Sequence, residues 1–215
     1  MFRTISISLF ALTLAAIFLC SVLVPKGQSW LHPHKKLIHL FTLLLIEHKL
    51  SFAGVVRKLV YLLALLCFVI LGFTGFYPTL ILNEHISGYL LMIHATFAPI
   101  FAICLAILAV MWASRCNLTY NDWPWFRRFV QRITLIKSVD KELILKSNRL
   151  FEKVTFWLIM LLALPLILSM ILSMLSYFGT YWQELLLIIH RWTALVFAVT
   201  AIIHTYLLIR IQMKQ

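Results

Sequence analysis

Acidic residues are scarce in this chain: seven Asp and Glu stand against nineteen Lys and Arg, for a formal net charge of +12. None of the seven lies deep within an apolar run, so a cation path of the kind that transporters line with carboxylates has no obvious ligands. A phosphate-binding glycine loop, an H-E-x-x-H metal pair and a nucleophile elbow are also lacking, which leaves nucleotide hydrolysis, zinc proteolysis and α/β-hydrolase chemistry without support. The four cysteines, Cys20, Cys67, Cys104 and Cys116, form no C-x-x-C pair and no C-x-x-C-H attachment motif. They read as small apolar residues.

What the chain has in abundance is apolar surface. Apolar residues make up 63% of its 215 positions, and the mean hydropathy of +0.98 lies far outside the soluble range. Apolar runs fall at 4–24, 58–79, 88–113, 154–177 and 185–209. Each reaches the roughly 20 residues needed to cross a hydrocarbon core of about 30 Å, so five transmembrane helices are expected. The start, MFRTISISLFALTLAAIFLC, resembles a signal peptide, but its run is long and no clean small-x-small site precedes Pro25, so an uncleaved first helix is expected.

The basic residues are unevenly distributed, and their placement explains the charge. Seventeen of the nineteen Lys and Arg lie between the first and second runs, counting Lys58 at the edge of the second, between the third and fourth, or after the last; the connections 80–87 and 178–184 hold none. The positive-inside rule makes the basic connections cytoplasmic, with the N-terminus outside and the C-terminus inside. The charge is therefore topological, and no nucleic-acid partner is expected.

Short outer connections make 58–79 with 88–113, and 154–177 with 185–209, antiparallel neighbours. The expected fold is an all-α membrane protein: a four-helix transmembrane bundle over 58–211, with a basic cytoplasmic loop at 114–153, plus one extra N-terminal transmembrane helix over 1–24. The intervening segment 25–57 is rich in histidine, and its apolar core from Leu37 to Ile46 is too short to span. It is expected to lie along the cytoplasmic interface as an amphipathic helix.

Two histidines, His190 and His204, interrupt the last run. Fourteen residues apart on a helix, they lie about 21 Å apart along the axis and about 40° apart around it. They therefore share a face, one near each membrane surface, with Ala194, Ala198 and Ala201 between them. One metal ion cannot bridge such a pair. Two b-type haems could, each taking one axial ligand from each of two facing helices. His94, on 88–113 with Ala98 and Ala102 below it, is at matching depth to His190, and the two are expected to clamp one haem. His85 reads as a loop residue. His204 finds no partner within the other runs, which leaves His48, then His39, His34 and His32, in the interfacial segment. Arg191 suits a haem propionate or, equally, an arginine snorkelling to the outer interface. A single histidine in a span can also simply hydrogen-bond across helices.

HRWTALVFAVTAIIHTYL resembles the fourth core helix of the bacterial di-haem cytochrome b family, the membrane subunits of formate dehydrogenase and nickel-iron hydrogenase. LVYLLALLCFVILGFTGFYP resembles the first core helix, including the Thr74-Gly75 pair, and GYLLMIHATFAPIFAICL the second, with His94 in the ligand position. The resemblance covers about 58–113 and 154–211. It implies two haems b, with His94 and His190 on the outer one and His204 on the inner. The family's His-Trp pair at the start of its first core helix is replaced here by Val60-Tyr61, and His48 is the expected substitute ligand. The resemblance further implies an electron-transfer subunit in the bacterial inner membrane rather than a complete enzyme, with no catalytic residue of its own. Its substrate would be menaquinone or ubiquinone, and its partner a periplasmic iron-sulfur or multihaem c-type cytochrome subunit. The alternatives are a histidine-using metal or proton transporter, or a haem-free structural subunit.

Overall fold

The computed structural model describes residues 1–23, 52–114, 116–117, 141–175 and 179–212. Five α-helices make up nearly all of this: α1 (Phe2–Leu23), α2 (Phe52–Tyr77), α3 (Gly88–Ala113), α4 (Lys141–Ser173) and α5 (Thr180–Gln212). Each contains a stretch long and apolar enough to cross a membrane, and no strand occurs among the described residues. The chain is an all-α, multi-pass membrane protein.

Residues 52–57, expected at the end of the interfacial segment, are instead the first turns of α2. Likewise α4 starts at Lys141, inside the expected cytoplasmic loop, and α5 extends beyond the apolar run at both ends. The physical reason is the same in each case. Hydropathy marks where a helix meets hydrocarbon, whereas backbone hydrogen bonding carries it on into water or headgroups.

The chain forms two compact units, Met1–Met111 and Trp112–Gln215. In the first, α2 runs into a single wide π-type turn, Pro78–Leu82. Pro78 has no N–H to continue the helical ladder, and next to it the Thr79 hydroxyl donates to the Gly75 carbonyl at 3.1 Å. Asn83 ends the turn at φ 59°, a left-handed conformation that asparagine tolerates better than most residues. α3 opens at Gly88 with φ +56°, where a side chain would be strained. Phe10 of α1 meets Phe76 of α2 edge-on, with ring centroids 5.2 Å apart. Phe68 of α2 faces Phe101 of α3 at 6.4 Å.

On α2, Leu59, Leu63, Leu66, Val69 and Phe73 form an exposed stripe at helical spacing, while Ala64, Cys67 and Thr74 are buried on another face. Apolar residues on both faces are what a helix between protein and lipid requires. Span hydroxyls are satisfied internally: Ser6 donates to the Phe2 carbonyl at 2.8 Å and Thr13 to that of Leu9 at 2.7 Å.

In the second unit α4 and α5 are an antiparallel pair in close contact along their lengths. Phe156, Ile159 and Ala163 of α4 are buried, as are Leu195, Phe197, Ala198, Thr200 and Leu207 of α5. Pro165 lies within α4 on an exposed face, so its missing hydrogen bond does not interrupt the face turned to α5. At the end of the pair nearer Leu150, the Trp157 indole donates to the Cys116 carbonyl at 2.9 Å.

Candidate functional site

Two of the expected histidines are fixed in the α4–α5 pair. His204 Nδ1 lies 2.8 Å from Thr155 Oγ1. Fourteen residues away on each helix, His190 Nδ1 lies 3.0 Å from the Leu166 carbonyl oxygen and 3.4 Å from Ser169 Oγ. The pair thus carries two histidine rungs in one antiparallel register, about 21 Å apart along the axis. Ala198, on the α5 face between them, is buried, and Ala194 and Ala201 are half-buried.

The third histidine is fixed in the first unit. His94 Nδ1 of α3 lies 2.9 Å from Thr74 Oγ1 of α2. Gly75 allows the imidazole to approach α2 closely: a Cβ at that position would stand 3.4 Å from His94 Cε1 and 3.8 Å from Nδ1.

The contact with Leu166 determines which ring nitrogen of His190 carries the proton. A carbonyl oxygen can only accept, so His190 donates from Nδ1 to Leu166. A threonine hydroxyl has one proton to give. Thr155 gives its proton to the Phe151 carbonyl at 2.7 Å and Thr74 to the Ile70 carbonyl at 2.8 Å. Turning either proton toward the imidazole would leave oxygen lone pairs facing each other at those distances. With each threonine proton on its own helix carbonyl, the hydroxyls of Thr74 and Thr155 are open to accept from His94 and His204, the arrangement that His190 must adopt toward Leu166. Metal-ligating histidines show this arrangement: one ring nitrogen donates to a fixed acceptor, which sets the tautomer and raises the donor strength of the other.

The donor set therefore suits haem iron, which takes neutral imidazole nitrogen as an axial ligand. It does not suit a compact metal-ion site, since no group of three or more His, Cys, Asp or Glu side chains converges among the described residues.

The remaining expected residues fall as follows. Arg191 is half-buried, adjoining His190 on α5. His85 lies in the short connection between α2 and α3 and is exposed. His48 and His39, proposed for the inner site, and the segment that carries them lie outside the described residues. His94 belongs to one compact unit and His190 with His204 to the other.

Sequence reasoning noted Thr74 and Gly75 only through the resemblance, and it missed Thr155, Ser169 and the Leu166 carbonyl. The spacing offered a signal for two of them, because Thr155 and Ser169 repeat the fourteen-residue separation of His204 and His190 on the antiparallel neighbour. A backbone carbonyl has no such signature.

No protein-family model, curated protein or solved structure matches this chain.

Proposed function

We propose that this chain is a b-type cytochrome membrane subunit. It moves electrons between a membrane quinone, menaquinone or ubiquinone, and an iron-sulfur or multihaem c-type subunit at the outer face of a bacterial inner membrane. One observation carries the reading: three histidines within spans each place Nδ1 within hydrogen-bond distance of a group on a neighbouring helix, the kind of contact that orients metal-ligating histidines. The sequence resemblance of 58–113 and 154–211 to the di-haem cytochrome b helices points the same way.

In this reading His94, His190 and His204 would hold the haem iron, and His48 is the candidate for the position that Val60-Tyr61 leaves open. When bound, haem b supplies one-electron chemistry at a potential set by ligand and surroundings. The chain does the rest. Thr74, Thr155 and the Leu166 carbonyl orient the rings, the small residues Ala194, Ala198 and Ala201 keep one face of α5 low, and the apolar helices exclude water. Arg191 is positioned by sequence beside His190, where a guanidinium suits a propionate. By the positive-inside rule the α4–α5 end with His204 is cytoplasmic.

A second reading is favoured by the same hydrogen bonds. In a membrane, histidine–threonine contacts hold helices together for about 0.6–2 kcal/mol each, so a haem-free structural subunit would use them as staples. A visible spectrum of the purified protein separates the two. A Soret band and a reduced α band at the b-type position are expected, with loss of one haem per chain in His204→Ala by pyridine haemochrome. A colourless preparation from haem-replete cells would overturn the cytochrome reading and leave the structural one.

A further inference from the structure

Of the three rings, His190 donates to a backbone carbonyl, whereas His94 and His204 meet threonine hydroxyls that themselves donate to the Ile70 and Phe151 carbonyls. A backbone acceptor cannot be altered by changing its side chain. A hydroxyl can, and these two are buried, with Thr74 3% and Thr155 8% exposed, so water does not replace them readily.

Resting on the cytochrome reading, we propose that Thr74 and Thr155 are positioning residues that set the ligand strength of His94 and His204, and hence tune two redox centres independently. Each hydroxyl performs two tasks at once. As an acceptor it fixes the ring's tautomer and rotation, which keeps the lone pair on Nε2. As a donor to the helix carbonyl four residues back, it is itself oriented and polarised, and this strengthens its acceptance from Nδ1–H. A stronger Nδ1–H hydrogen bond makes Nε2 a better electron donor, which favours ferric over ferrous iron and lowers the potential of that centre. The relay is local to one helix pair in each unit: Thr74 acts within α2–α3 and Thr155 within α4–α5. A change at one therefore leaves the other's ring untouched.

Valine replaces the hydroxyl by a methyl of similar shape and removes only the acceptor; serine restores it. The test is a redox titration of the purified full chain and its variants in detergent, with haem content measured alongside. Thr155→Val is expected to move one midpoint upward, or to lose that haem alone, with the other midpoint unchanged. Thr74→Val should act on the other centre, and each serine variant should return the wild-type pattern. Nitrogen-15 spectra of histidine-labelled wild type, reduced so that low-spin iron is diamagnetic, should show Nδ1 protonated in the ligating rings, a readout that needs no variant. Unchanged midpoints and haem content in both valine variants would overturn the proposal, as would serine variants as impaired as valine, or ligating rings protonated at Nε2. Those failures leave a haem-bearing wild type and so spare the cytochrome reading, whereas a colourless wild type defeats that reading first.

Discussion

Replacing Gly75 tests the close approach of His94 to α2. The position a Cβ would take is 3.4 Å from His94 Cε1 and 3.8 Å from Nδ1, which is contact without overlap. Alanine should therefore be accepted. It gains about 0.5–1 kcal/mol of helix preference over glycine and a few tenths from dispersion with the ring. Leucine adds three more carbons where the first already touches. Overpacking of that kind costs about 1–3 kcal/mol, and pushing the imidazole off Thr74 forfeits a hydrogen bond worth about 0.5–1.5 kcal/mol.

Together these give roughly 2–4 kcal/mol against the native ring position, a factor of about 30 to 700 in any equilibrium that needs it. The assay is haem per chain by pyridine haemochrome, with thermal unfolding in the same detergent. On the cytochrome reading proposed above, Gly75→Ala should match wild type in haem, and on either reading it should equal or exceed it in stability. Gly75→Leu should fall short in haem. Loss of haem in Gly75→Ala would refute the reasoning, because it would mean that something other than imidazole needs the space above the Gly75 Cα.

Three further outcomes are expected. Trp157→Phe removes the donor to the Cys116 carbonyl and should destabilise the second unit by about 0.5–1.5 kcal/mol; an unchanged unfolding midpoint would show that the indole bond contributes nothing there. Burial foremost, then Glu152, pushes the Cys116 thiol up, with Lys153 opposing. Its thiolate fraction at pH 8 should lie below that of an ordinary cysteine, and alkylation in the folded protein should accelerate only above the usual thiol range, so fast labelling at pH 8 would contradict its burial. A folded-state pKa above the unfolded value also makes any stability contribution of this thiol present at low pH and lost as pH rises through the unfolded and then the folded pKa. Finally, on the cytochrome reading His48→Ala should lower the haem count by one; a full count in that variant would send the search for the inner ligand to another residue.

The five spans were readable because hydrocarbon imposes a length and a composition that few soluble helices share. The ends of the helices were less so. KELILKSNRL at the start of α4 is too polar for a hydropathy run, yet it is rich in residues that favour helix, and the helix continues through it. At the site, imidazoles stand out in apolar runs, so His94, His190 and His204 were evident from their position alone. Their supports were not, because threonine and serine are ordinary in membrane helices, where they bond their own backbone. Only when Thr155 and Ser169 are paired against His204 and His190 across an antiparallel register does their role emerge. Leu166 acts through its carbonyl, which every residue possesses.

The equal fourteen-residue spacing on α4 and α5 also makes the hairpin a ruler. Both histidines ride on one helix, and their anchors ride on its immediate neighbour, so tilting or sliding of the hairpin as a body leaves their separation fixed. A single-residue insertion in α5 between positions 190 and 204 would lengthen that separation by about 1.5 Å and swing one ring by about 100°, breaking its rung. If the proposed electron transfer runs between the two positions, its gating comes from what is brought to the ends of the hairpin, since the distance inside it does not vary.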